Sequence, residues 1–324
     1  MKRFVFVAAL WMVVCGLNIR AEDVQAQPYP NRPIQLIIPI PAGGGGDVTG
    51  RLVAEELGKI LKMQVIVVNK AGAGNALGTE FVAKSKKDGY TIGYTSSAAI
   101  VYAPIMNPEN VTYDMIKDFD PLGLHVFFAS GFAVQESSPW KTFPELLEYA
   151  KKNPGKIRVS TPGLGSTVHF NLEMIQSMTG TQFTHIPYKG GEAVITALLG
   201  GHVEATFDAI AKIMPHAEAG KMRVLLLTKK FSGFPNVPTM TELGYKEDLL
   251  SAWFAFYAPA GIPEEVKRVL VPAIEKAIRV PEVKAKIERL GYVAEYKSPA
   301  DLKKVMVADY ETARSIATKL GMSK

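Results

Sequence analysis

Short apolar runs rich in Ile, Val and aromatic residues alternate along this chain with stretches whose apolar positions recur every three or four residues. The first pattern predicts buried strands and the second amphipathic helices; their alternation predicts an α/β architecture with parallel strands. IQLII at 34–38 leads through PIPAGGGGD into a helical stretch where Val53, Leu57, Ile60 and Leu61 share a face. QVIVVN at 64–69 reads as a buried strand and runs into a second glycine turn, AGAGNALG at 71–78. KDGYTIGYTSSAA at 87–99 gives a turn, a strand and a hydroxyl cluster, Thr95, Ser96 and Ser97. Ligands of open α/β sheets sit at the carboxyl ends of strands, where these small and hydroxylic residues fall.

The pattern then repeats. LGLHVFFASGFAV at 122–134 is another apolar stretch, and Thr142 opens a helix that should stop before Asn153-Pro154-Gly155. IRVSTPGLGSTVHFN at 157–171 is again strand, glycine turn and helix, with Ser166 placed as N-cap and Val168, Leu172 and Ile175 as the apolar stripe. FTHIPYKGGEAVITALLGG at 183–201, HVEATFDA at 202–209 and MRVLLLT at 222–228 supply further strands and a helix. SAWFAFYAP at 251–259 is an apolar strand between proline-rich turns, and Ser298 with Asp301 starts the C-terminal helix in capping-box spacing. The units form two sets, which predicts two lobes: 27–125 together with 253–324, and 126–252. The crossing segments are expected near Phe127 and Trp253.

The N-terminus changes the compartment. Lys2 and Arg3 precede the uncharged run Phe4 to Leu17, too short to span a bilayer comfortably, and Val24-Gln25-Ala26 offers small residues for cleavage. Residues 1–26 therefore read as a signal peptide for secretion to the periplasm; an uncleaved anchor or a lipid on Cys15 are the competing readings. Losing 1–26 removes three cations and two carboxylates, taking the formal charge from +6 to +5, and removes the single cysteine. Disulfides and thiolate metal sites are then excluded. Lys and Arg are interspersed with Asp and Glu, so the mild positive balance suits small anions and is no nucleic-acid footprint.

Two glycine turns opening helices expose backbone N–H groups where an anion is favoured, although a merely tight turn has the same composition. Gly46 is followed by Asp47 and Val48, not the Lys and hydroxyl of a phosphate loop, and no register of Gly43 to Gly50 matches a dinucleotide fingerprint. Asp47 is placed to cap the first helix or to face a ligand. Asp208 ends a strand with no obvious helix after it, and could receive an amine or water or pair with backbone. His169 stands just inside the second turn, as a donor to a carboxylate or as packing. His125, His185, His202 and His216 lack partners at metal-ligand spacing, and no hydrolase elbow, metalloprotease motif or cofactor fingerprint is present. A binding protein without metal or cofactor is the expectation. A secreted enzyme and a ligand sensor signalling to the membrane are the rivals.

Taken in order, YPNRPIQLIIPIPAGGGGDVTGR, VVNKAGAGNALGTEFVAKSKKDGYTI, WKTFPELLEYAKKNPGKI, STPGLGSTVHF, HIPYKGGEAVITALLGGHVEATFD, NVPTMTELGY and WFAFYAPAGIPEEV resemble the solute-binding receptors of tripartite tricarboxylate transport systems, the Bug or TctC family. The resemblance implies a type II periplasmic-binding-protein fold, a Venus-flytrap whose lobes are mostly parallel sheets flanked by helices. It implies a monomer that closes on a small carboxylate and delivers it to membrane transporter subunits. The matching positions for the ligand are Ala42, Gly43, Gly44 and Asp47 in the first loop, and Thr161, Gly163, Gly165, Ser166, Thr167 and His169 in the second. Gly72, Thr95, Ser96, Ser97, Tyr188, Gly190 and Asp208 complete the expected set. Gly46 stands where Ser or Thr is common, and Asn75 replaces a usual glycine. No candidate loop carries an arginine, so neutral hydroxyls and backbone N–H groups should hold the acid.

Overall fold

A computed structural model describes residues 28–72, 75–188 and 191–321. The expected leader with Cys15, and Gly190 of the expected site, lie outside them. Ile and Leu make β1 (Ile34–Ile38), where Ile34, Leu36, Ile37 and Ile38 are fully buried and only Gln35 is exposed. It pairs in parallel with β2 (Val65–Asn69) and β3 (Thr91–Ser96). The six-stranded sheet has the order β11-β4-β10-β3-β1-β2, with β4 at Phe119–Phe128, β10 at Ala252–Pro259 and β11 at Val293–Lys297. The second sheet has the order β7-β6-β8-β5-β9. Its strands are β5 (Ser130–Gln135), β6 (Arg158–Thr161), β7 (Thr184–Pro187), β8 (Ala205–Ala209) and β9 (Met222–Leu227).

Both sheets are mixed, a departure from the expected mostly parallel pairing. β10 runs antiparallel to β3 and β4, β11 to β4, and β5 to both β8 and β9. The reason lies in the connections: parallel neighbours here are joined through helices, whereas β4, β5 and β10 carry the chain between lobes and enter their sheets from the other end. The apolar stretch 122–134 is thus shared. β4 stays in the first sheet through Phe128, Ala129 makes the crossing, and Ser130 begins β5 in the second.

Helices cover the sheets. They are α1 (Gly45–Leu61), α2 (Ala76–Ala83), a short π-helical turn Ala98–Tyr102 leading into α3 (Ala103–Met106), α4 (Phe143–Lys152), α5 (Thr167–Thr179) and α6 (Gly191–Leu199). They continue with α7 (Ile210–Glu218), α8 (Glu264–Ile278), α9 (Pro281–Arg289) and α10 (Pro299–Lys319). The expected caps are present: Thr142, Ser166 and Ser298 each accept from the backbone N–H three residues on. The two chain crossings are tied together, since Thr228 Oγ1 accepts from the Ser130 N–H at 2.9 Å and from Ser251 Oγ at 3.0 Å. Asn171 of α5 exchanges two 2.8 Å hydrogen bonds with the Leu250 backbone, fixing the second lobe to the returning segment. Trp253, fully buried, donates Nε1–H to Asp309 of α10 at 2.7 Å.

Candidate functional site

The first glycine turn places the N-terminus of α1 on an aromatic bed. A Cβ at Gly46 would lie 2.4 Å from the Phe254 ring, and one at Gly45 would lie 2.4 Å from the Tyr292 hydroxyl. Gly46 is therefore a packing glycine. Gly44 occupies the N-cap position without any side-chain cap, leaving the first N–H groups of α1 to other acceptors.

Asp47 is buried at the centre of this turn. Its carboxylate accepts from the Gly43 N–H at 2.9 Å, from Arg51 Nε at 3.0 Å and from Asn69 Nδ2 at 2.9 Å. Asn69 also donates to the Ile40 carbonyl and accepts from Arg51, so three side chains lock residues 40–47 in shape. Burial pushes the Asp47 carboxyl up, and the bonds from Arg51, Gly43 and Asn69 outweigh it, holding the group below its ordinary value. Asp47 does not cap the helix, whose N-cap Gly44 has no side-chain cap; its carboxylate holds the loop through Gly43. Arg51 was missed although it stands four residues after Asp47, a spacing that pairs side chains on a helix. Its charge offsets that of Asp47, so the helix dipole is not cancelled at its N-terminus.

The second turn is held from behind by two histidines. Ser166 caps α5 and donates its hydroxyl to the Gly163 carbonyl at 2.8 Å. His169 Nδ1 accepts from the Gly165 N–H at 3.1 Å, which puts the neutral ring's proton on Nε2. The His185 ring stacks on that of His169 at 4.4 Å and 15°, and its Nε2 is 2.6 Å from Thr161 Oγ1. Burial, then the neighbouring His169, pushes His185 down to about 4; burial lowers His169 as well. His185 lies on β7, parallel to β6, where its register opposite Val159 is set by sheet pairing. No spacing in the sequence signals that contact. Tyr188 closes the turn by donating its N–H to the Thr161 carbonyl.

The other expected residues divide. Thr95 Oγ1 is 2.8 Å from Thr79 Oγ1 and so anchors α2. Ser97 Oγ accepts from the Trp253 N–H at 3.2 Å, while the buried Ser96 hydroxyl finds no partner among the described residues. Gly72, at φ 140°, accepts through its carbonyl from the Asn75 N–H ahead of α2. Asp208 corrects the sequence reading, because α7 does open directly after it. Its carboxylate accepts from the Ala209 N–H at 2.7 Å and pairs with Lys212 at 3.3 Å. The buried Ile210 and Ile213 hold that helix to the sheet without a polar cap, so composition alone gave no start signal.

One cavity, about 590 Å³, runs between the lobes. Gly165, Ser166 and Thr167 form its wall on the second lobe; Ala76, Ala98, Tyr102, Asn107 and Asn110 form much of the facing wall. Among the described residues, no side chain lining it is charged. Residues 42–47 and 95–97 are not among the residues that line this cavity. Tyr102, Asn107 and Asn110 were not anticipated, since they lie on an irregular helical segment without a motif. The buried Tyr102 hydroxyl has no hydrogen-bond partner among the described residues, its polar neighbours being Thr167 across the cleft and Ser97. Among the described residues, no cluster of three metal-ligating side chains occurs.

Two mixed α/β lobes crossed twice by the chain, with a helix N-terminus opening on the cleft between them, define a solute-binding protein of the periplasmic type. Residues 49–322 match the model of the tripartite tricarboxylate transporter family receptor, and the chain belongs to that family. BugT of Bordetella pertussis is 34% identical over 281 residues, covering 86% of this chain and 85% of BugT. A TctC solute-binding protein from Polaromonas superposes with a TM-score of 0.82 at 31% identity, over 90% of this chain and 99% of that one. A protein of R. palustris solved with adipate superposes with a TM-score of 0.71 at 26% identity, over 91% and 99%.

Proposed function

We propose that this receptor captures a small carboxylate between its lobes in the periplasm and presents it to the membrane subunits of a tripartite transporter. The observation that carries the reading is the N-terminus of α5 opening on an interlobe cavity where, among the described residues, no lining side chain is charged. A helix N-terminus offers about half an elementary charge of positive potential together with oriented N–H donors. Neutral donors in a partly desolvated cleft can hold an anion without a guanidinium clamp. Family membership and the adipate-bound relative favour the same chemistry.

In this reading the lobes are 27–125 with 253–324, and 126–252, except that residues 126–128 and 252 lie in strands of the first sheet and go with the first lobe. Closure about the crossings at 129 and 228–251 brings Ala42, Gly43 and Gly44 to the acid already held by the turn 161–167. Asp47 acts through Gly43, and Asp208 through Lys212. The protein binds without turnover, and residues 1–26 are removed on export.

A thermal-shift panel of acetate, benzoate, malate, adipate, glutamate and citrate tests the reading, because a ligand binding only the folded state adds about 2.7 kcal/mol at one hundred times its Kd. At least one acid should raise Tm and be recovered chemically unchanged. No shift from any of them, or consumption of the acid by pure protein, refutes the proposal. Membrane vesicles carrying the transporter subunits should take up the bound acid only when the receptor is added.

A further inference from the structure

A groove that shares no lining residue with the cavity at 165–167 has walls that belong to different lobes. Glu173, Met174 and Met178 of α5 form one wall, and Glu311, Ile316 and Leu320 along α10 form the other; its volume is about 510 Å³. A second depression of about 300 Å³ shares Met174, Glu247 and Thr312 with it and extends along α10 to Asp309. From Asp309 to Leu320 the helical rise spans about 17 Å, the length of three helical turns.

The charge of this groove runs against that of the chain. The protein carries a net +6, yet Glu173, Glu247 and Glu311 take part in none of the ion pairs formed among the described residues. Among the described residues, Lys319 is the single cation on the wall of the larger depression. Burial pushes the Glu173 carboxyl up, and only a hydrogen bond with Gln176 opposes it, so a cation arriving there would relieve a desolvation cost. Between the carboxylates lie methionines, which adapt their shape to an apolar partner, and Leu320, which is 37% exposed.

We infer that this groove docks a basic amphipathic helix of a partner protein, its Lys or Arg side chains meeting Glu173, Glu247 and Glu311 and its apolar face lying on Met174, Met178, Ile316 and Leu320. Carboxylates without ion-pair partners among the described residues, flanking an apolar floor, are complementary to such a helix in both charge and surface. Because the walls sit on different lobes, the width of the groove follows the hinge. A partner seated there distinguishes the open receptor from the closed one without touching the solute.

A fluorescein-labelled 14-residue helical peptide, with Leu on one face and Lys along its edges, tests this by anisotropy against the full chain. Binding should weaken at least tenfold in a variant carrying Glu173→Gln, Glu247→Gln and Glu311→Gln, and at least fivefold in Leu320→Ser. It should weaken less than twofold when the exposed Glu218, Glu265 and Glu282 are changed to Gln, with thermal melts confirming that each variant folds. Equal losses in the groove and control variants, an unaffected Leu320→Ser, or no binding by wild type at 100 µM peptide would overturn the inference. So would a wild-type dimer that the groove variant dissolves, which would assign the surface to a second copy of this chain.

Discussion

Replacing Gly165 by Asp tests whether an anion sits at the N-terminus of α5. Gly165 has φ +73°, and its N–H is held by His169 Nδ1. A non-glycine residue in that region costs about 1–2 kcal/mol, and Asp and Asn are the side chains that tolerate it best. A carboxylate ahead of the first turn also regains about 0.3–1 kcal/mol from the helix dipole, so the variant should fold with little net loss. For a bound carboxylate the sign reverses. Two like charges about 5 Å apart at an effective dielectric of about 20 repel by about 3 kcal/mol, or about a hundredfold in Kd. Gly165→Asn carries the same backbone strain without the charge. Calorimetric titration with the panel acid that binds wild type should therefore show a loss of about a hundredfold for Asp and less than tenfold for Asn, with the gap narrowing in salt. Equal affinities for the two folded variants would remove this turn from the anion site.

Three further outcomes follow from the geometry. Gly46→Ser should destabilise by about 1–3 kcal/mol in urea melts, because its Cβ meets the Phe254 ring, whereas Gly44→Ser, with its nearest neighbour 3.5 Å away, should change stability by a few tenths of a kcal/mol at most. Asp309 is pushed up by burial to about 6, opposed by the Trp253 hydrogen bond. Its neutral form is thus favoured in the fold, and stability from this group is present below about pH 4 and lost as pH rises through 6. Asp309→Asn should abolish that loss and be up to about 3 kcal/mol more stable than wild type at pH 7.5, with no advantage at pH 4. His185 and His169 are depressed, so their contribution is present above about pH 6.5 and lost as pH falls toward 4. Carboxylate binding should weaken over that window as the turn 161–166 loosens, and His185→Asn should move the weakening to lower pH; an unshifted profile would clear the histidine pair of that role.

Much of this fold is written in local pattern. The caps at Thr142, Ser166 and Ser298 and the strands at 34–38, 64–69 and 222–228 follow from side-chain chemistry within one turn or one run. What escaped the sequence depends on partners far along the chain. The sheets are mixed because of where β10 and β5 enter, and no residue within those strands encodes that. Ser97 carries a hydroxyl at a strand end, as a ligand contact would, but the Trp253 backbone 156 residues away takes it. His185 seemed unpartnered because its neighbours, Thr161 and His169, stand on other elements. Arg51 and Lys212 were within reach, each standing four residues after the carboxylate it meets.

The position of β10 bears on how the chain folds. It lies between β3 and β4, which precede it, yet it follows the whole second lobe in sequence. Emerging from the N-terminal end, the chain completes the second lobe as an unbroken unit while the first waits as two separate halves with open strand edges. Those edges are paired only when residues 252–259 arrive, a closure across more than a hundred residues that makes this the slow step and the point of greatest exposure to misassembly. Conditions that delay β10 should therefore yield a species with the second lobe formed and the first incomplete, visible in pulse-labelled hydrogen exchange as early protection of 130–227 and late protection of 91–96 and 119–128.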